Sequence, residues 1–147
     1  MREKLFALAE RRGVTIEWSS LRMRDGEYRH DLSRIRLRHG MSPRLECWTL
    51  GHELGHAVHG DIRTCNDRVT SKQERRADEW AARFLIDLDR YRDVELLREG
   101  HVPSMAYDLG VISRGVEVYQ RVLERLGDHV YLKPQHGVGQ FAARLVS

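Results

Sequence analysis

His52, Glu53 and His56 stand in the run His-Glu-Leu-Gly-His, a spacing that handles a metal ion when it falls on a helix. Positions four apart sit one above the other on a helix face, so two imidazole nitrogens can meet one tetrahedral ion. The Glu53 carboxylate then lies beside the open coordination position, where it can take a proton from a water attacking a carbonyl. The chemistry spelled by these residues is zinc-assisted hydrolysis of a peptide bond, with His52 and His56 as ligands and Glu53 as the base.

A third ligand is required. A glycine three places and a histidine six places beyond the second histidine would mark the metzincin class, but His59 and Ile62 hold those places. His59 lies two turns from His52, about 10 Å by helical rise, too far to share an ion with it. It is expected to cap carbonyls at the helix end. A glutamate from a following helix is the remaining common solution, and Glu74 and Asp78 share one face of a strong helical pattern over Ser71–Leu85. Glu74 would bind the metal, while Asp78 accepts the second ring N–H of a zinc histidine, His52, and fixes its tautomer. Two alternatives stand beside this. Ser71-x-x-Glu74 is a capping box that would explain the glutamate without a metal. Glu79 is a competing acid, although Arg75 and Arg83, four places to either side, read it as a surface ion pair.

The helix that presents the motif is well punctuated. Ser42 serves as N-cap, Pro43 as first helical residue and Gly60 as stop, giving a helix from Pro43 to His59. Leu45, Trp48, Leu50, Leu54, Ala57 and Val58 make it mostly apolar, so its polar residues concentrate at the motif. Two histidines and a glutamate inside such a helix are costly unless something charged satisfies them.

From the motif through Glu74-x-x-Ala77-Asp78-x-Trp80-Ala81-Ala82-x-Phe84-Leu85-Ile86, the chain resembles the ImmA/IrrE metallopeptidase family. In that family the second block runs Glu-x-x-Ala-Asn-x-Phe-Ala-Ala, then small apolar residues and a proline. Glu74, Ala77, Ala81 and Ala82 match; Asp78 replaces the asparagine, Trp80 the phenylalanine, and Asp87 stands where the proline falls. Asp78 is similar instead to the aspartate that orients a zinc histidine in thermolysin-like enzymes. The resemblance is dense over residues 45 to 88, looser over 1 to 44 and thin after 100. It implies a zincin-like catalytic core, a Zn2+ cofactor, and cleavage of a helix-turn-helix repressor of phage or mobile-element type, so that silenced genes are induced.

The 147 residues are a single-domain length. The expected organisation is a catalytic core over 1–100, a helix-turn-helix-like segment over 101–127 and a tail over 128–147. Cys47 and Cys65 are too few for a disulfide framework and are expected as reduced thiols in a cytoplasmic protein. The N-terminal run is an amphipathic helix with charges of both signs rather than a signal peptide, and no segment has the apolar length of a membrane span. A net charge of +3, from 25 Lys plus Arg against 22 Asp plus Glu, is too small to argue for nucleic acid.

The elements expected around the site are helix Arg2–Arg12, strand Val14–Trp18, hairpin strands near Glu27–His30 and Arg34–Arg38, and the two motif helices. This is an α+β fold with a small antiparallel sheet packed on helices. Ile35 and Leu37 alternate with Arg34, Arg36 and Arg38, which makes a strand with one apolar and one arginine face. As a solvated face it needs no further role. As a substrate-binding strand beside the active helix it would pair with an extended peptide, and its arginines would favour an acidic or phosphate-bearing partner.

Pro103 to Leu126 has helix-turn-helix spacing, with Leu109-Gly110-Val111 at the turn. Gly115 and Glu117 suit a recognition helix poorly, so DNA is not expected as a partner and packing against the core is the favoured role. A possible strand at Val130–Leu132 precedes an unreadable tail. An oxyanion donor is needed, and Tyr91, His101, Tyr107 and His129 remain open. A rival to the peptidase is a non-enzymatic zinc-binding regulator acting on a repressor or DNA, but a structural site has no use for the base Glu53.

Overall fold

The computed structural model describes residues 1–126, which fall into two compact units, one of Met1–Ala81 and one beginning at Ala82. The strand expected at Val130–Leu132 and the candidate donor His129 lie outside the described residues.

The first unit holds α1 (Arg2–Arg11), β1 (Thr15–Ser19), β2 (Gly26–Arg29), β3 (Arg34–Arg38), α2 (Pro43–His59) and most of α3 (Asp67–Leu85). The α+β class holds, but the sheet is mixed rather than antiparallel. Its order is β1-β3-β2, with β3 parallel to β1 and antiparallel to β2. The chain reverses from β1 to β2 and again from β2 to β3, so β3, which enters between the other two, runs with β1 and against β2. Its apolar residues Ile35 and Leu37 are fully buried. A 3-10 turn over His30–Leu32 and a left-handed Ser33 (φ 45) bring the chain back from β2 into β3.

The boundaries of α2 are those its local chemistry demands. Ser42 Oγ accepts the Leu45 N–H, Pro43 opens the helix, and Gly60 closes it in the left-handed region at φ 65. Leu50 and Leu54 are fully buried, each contributing about 2 kcal/mol of transfer free energy, and the helix packs on α1, β2 and β3. The start of α3 differs from expectation. Asn66 Oδ1 accepts the N–H groups of Arg68 and Val69, so the helix begins at Asp67 and Ser71 lies inside it. The capping-box explanation of Glu74 therefore falls.

The second unit contains the end of α3, then α4 (Leu88–Leu97), α5 (Val102–Leu109) and α6 (Ser113–Leu126). Helix α4 is additional to the expected elements. Asp87, which stands where the ImmA/IrrE pattern has proline, is its N-cap and accepts the Arg90 N–H. Gly110 at φ 70 ends α5 and sets the turn into α6, which buries Val116, Val118, Tyr119, Val122 and Leu123. The rings of Tyr91 and Tyr119 lie 5.0 Å apart. Among the described residues, no helix is long and apolar enough to cross a membrane.

Candidate metal centre

Two close backbone approaches in the first unit assemble the site. Where α2 crosses α3, a Cβ placed on Gly55 would stand 2.9 Å from Ala77 Cα and 3.0 Å from Ala77 O. No side chain fits there. Glycine at this point of the motif lets α3 come near enough to set Glu74 and Asp78 against the two histidines. Where β2 passes α2, a Cβ on Gly26 would stand 2.6 Å from Thr49 Cγ2 and 3.0 Å from Glu53 Cγ and Oε1. The strand thus lies directly on the motif glutamate.

The three donors converge. His52 Nε2 is 3.1 Å from His56 Nε2 and 3.2 Å from Glu74 Oε2, and His56 Nε2 is 3.3 Å from Glu74 Oε1. Two ligands bound at ordinary zinc distances in a tetrahedron stand about 3.3 Å apart, so the donor set fits such an ion as it stands. His52, His56 and Glu74 form the one group of three such donors among the described residues, and Glu79 is not in it. His59 donates through Nδ1 to Gly55 O at 2.6 Å, the carbonyl cap expected of it.

The far side of each imidazole is held by an acid. His52 Nδ1–H donates to Asp78 Oδ1 at 2.8 Å, and His56 Nδ1–H donates to Asp61 Oδ2 at 2.9 Å. A carboxylate only accepts, so both rings carry a proton on Nδ1 and turn Nε2 inward, the nitrogen left to offer a lone pair to a cation. Asp61 is itself clamped by Arg76 Nη2. Asp61 was not expected from the sequence. Its signal is its place just past the Gly60 stop, where its N–H bonds His56 O at 3.0 Å and the chain turns back behind His56.

The acids set the electrostatics. Burial works against a charged His52, but hydrogen bonds to Asp78 and Glu74 outweigh it and push the ring up to about 10. Burial likewise opposes a charge on His56, and Glu74 and Asp61 raise it nonetheless. Glu74, bonded to both rings, is held far below the usual carboxylate range. The cluster attracts positive charge, which a divalent cation would supply in place of protons.

Glu53 lies beside the donors without joining them. Only 7% of it is exposed, and burial pushes its carboxyl up, against the pull of His52 and His56 and the Tyr28 backbone N–H that donates to it. Glu53, His52, His56 and Glu74 line one cleft of about 580 Å³ with Tyr28, Gln73 and the residues of two loops. Tyr28, also absent from the expectations, faces this cleft, and its hydroxyl lies 3.2 Å from His30 Nδ1. Of the expected oxyanion donors, Tyr91 is fully buried and donates to Glu95 Oε1, and His101 bonds Ser104 Oγ.

The arginine strand requires a correction. β3 lies between β1 and β2, so both its edges are paired and it cannot take an extended substrate; the edge at the cleft belongs to β2. The arginine face exists, but Arg34 pairs with Glu17, Arg36 with Glu27 and Arg38 with Asp25, and none of the three lines the cleft.

Among curated proteins none matches the chain. Among solved structures the fold is similar to that of a Mycobacterium tuberculosis transcriptional regulator, with TM-score 0.60 and 15% identity over 80% of this chain. The chain spans 40% of that regulator's length. The family model for the IrrE N-terminal-like domain, Peptidase_M78, matches residues 9–112, the stretch that carries every donor and both supporting acids. The chain belongs to this family of metallopeptidases.

Proposed function

We propose that the chain is a zinc-dependent endopeptidase acting on a protein substrate, a helix-turn-helix transcriptional repressor of phage or mobile-element type, so that cleavage derepresses genes. The observation that carries the hydrolytic reading is the pairing of three converged donors with a buried carboxylate beside them that is not one of the group. His52, His56 and Glu74 hold the ion. Bound there, zinc supplies Lewis acidity to the scissile carbonyl and a water of lowered pKa.

The rest is done by the chain. Glu53 receives the proton of the attacking water on a carboxylate oxygen and hands it to the departing amine; its burial, which raises its proton affinity, suits it to both steps. Asp78 and Asp61 hold the two imidazoles in the tautomer and orientation that present Nε2. Tyr28 is the phenol of the cleft and donates to the oxygen on which negative charge develops. The intact base Glu53 favours an enzyme over a regulator that only binds zinc. The repressor is supported by the family resemblance, and the fold is shared with a transcriptional regulator.

The test pairs zinc content with cleavage. Zinc-loaded protein incubated with a helix-turn-helix repressor should yield two fragments by mass spectrometry, and Glu53→Gln should bind one zinc per chain yet yield none. A Glu53→Gln protein that loses zinc would make Glu53 a ligand and overturn its assignment as base. Cleavage of other proteins with every repressor left intact would remove the repressor from the reading.

A further inference from the structure

We propose that Arg24 and Arg63 form an anion subsite in the wall of this cleft, selecting substrate peptides that carry an acidic side chain next to a large apolar one. The inference rests on the endopeptidase reading and narrows its substrate class.

Its anchor is Glu27. This residue of β2 is buried, with 7% exposure, and it faces Arg36 across the strand pair. Arg36 bonds Glu27 through two nitrogens, Arg63 Nη2 through another at 2.7 Å, and Arg24 Nη1 stands 3.6 Å away. One carboxylate thus gathers three guanidiniums, an excess of two positive charges. Arg36 stays outside the cleft and is spent on Glu27. Arg24 and Arg63, with side chains 52% and 57% exposed, line the same cleft as His52, Glu53 and His56.

The acids of the cleft do not cancel this excess. Asp61 is engaged by Arg76 and His56, Glu74 by the two histidines, and Glu53 is buried beside the same histidines. Two guanidiniums drawn to one buried acid are held at a fixed place despite their repulsion, and an incoming carboxylate relieves that repulsion while accepting their free N–H groups. Each arginine also follows an exposed apolar residue on the same cleft. Met23, 93% exposed, precedes Arg24 on the β1–β2 loop, and Ile62, 63% exposed, precedes Arg63 on the α2–α3 loop. Both lips therefore offer apolar surface next to cationic surface, the complement of an acidic residue beside a large apolar one.

The probe is a pair of labelled peptides of about ten residues, the length of an extended recognition segment, identical except that a central leucine is followed by glutamate in one and glutamine in the other. Binding is measured by fluorescence anisotropy to zinc-loaded Glu53→Gln protein, in which the peptide stays whole. The glutamate peptide should bind roughly three- to tenfold tighter at low salt, with the gap narrowing as salt screens the half-exposed arginines. Arg24→Gln with Arg63→Gln should close the gap, and Arg24→Lys with Arg63→Lys should keep part of it. Equal binding of the two peptides, or a gap that survives the glutamine double variant, overturns the subsite. Wild-type protein given the same peptides separates the two ideas. A binding gap in protein that leaves both peptides and the helix-turn-helix repressor whole removes the endopeptidase and keeps the subsite, whereas hydrolysis of both peptides at equal rates keeps the endopeptidase and removes the subsite.

Discussion

Gly26→Ala tests the seating of the base without touching a donor. The new methyl would lie 2.6 Å from Thr49 Cγ2, whereas two carbons rest at about 3.5–4.0 Å, so strand or helix must yield by about 1 Å. Thr49 has little freedom to turn away: it is β-branched on a helix and 6% exposed, and a second rotamer would give up the reach of its hydroxyl to Met41 Sδ at 3.7 Å. Overpacking of this kind costs about 1–3 kcal/mol. The methyl also meets Glu53 Cγ and Oε1 at 3.0 Å, and a base displaced by about 1 Å loses on the order of a hundredfold in rate. Urea unfolding, zinc content and cleavage rate separate these effects. Gly26→Ala should lose stability and rate while keeping one zinc per chain. Adding Thr49→Ser removes Cγ2 and should restore most of the stability, but not the rate, because the contact with Glu53 remains. Wild-type stability in the single variant, or full activity in the double, would refute the reasoning.

Metal content should divide the acids of α3: Glu74→Ala loses tight zinc binding and Glu79→Ala keeps it, as read by zinc competition with a chelating dye. Asp78→Ala and Asp61→Ala should each weaken zinc affinity by roughly ten- to a hundredfold, and a wild-type affinity in Asp61→Ala would show that His56 needs no partner. The Glu27 cluster should appear in acid unfolding. Burial alone would raise the Glu27 carboxyl, but Arg36 and Arg63 lower it below its ordinary 4.5. Its contribution is therefore complete above pH 4.5 and is lost as pH falls through the lower folded value. Glu27→Gln should flatten that part of the stability curve, and an unchanged acid limb would contradict the pairing.

What the sequence discloses follows the range of the forces involved. Both ends of α2 are legible because a serine cap, a proline and a left-handed glycine act within a turn of themselves. The buried alternation of Ile35 and Leu37 is legible for the same reason. Strand order is not, because alternation in one strand is silent about which neighbour pairs with it, or in which direction. Helix α4 hides because five of its ten residues are charged and the face it buries is narrow, holding Tyr91, Val94 and the acid Glu95. In the site, the fixed spacings of His52, Glu53, His56, Glu74 and Asp78 are visible in a helical projection. Asp61, Tyr28 and Gly26 enter through contacts between elements, which no periodicity encodes.

The two glycines of the site differ in what opposes them, and the difference bears on how relatives of this chain are free to diverge. At Gly26 the obstacle is foremost a side chain, Thr49, so a larger residue at one position can be balanced by a smaller one at the other, and the two should drift as a linked pair. At Gly55 the obstacle is the Ala77 main chain, which every residue type carries alike. No change at position 77 makes room for a side chain at 55. Descendants that keep this helix crossing must keep that glycine, and a lineage that loses it must first give up the meeting of α2 with α3.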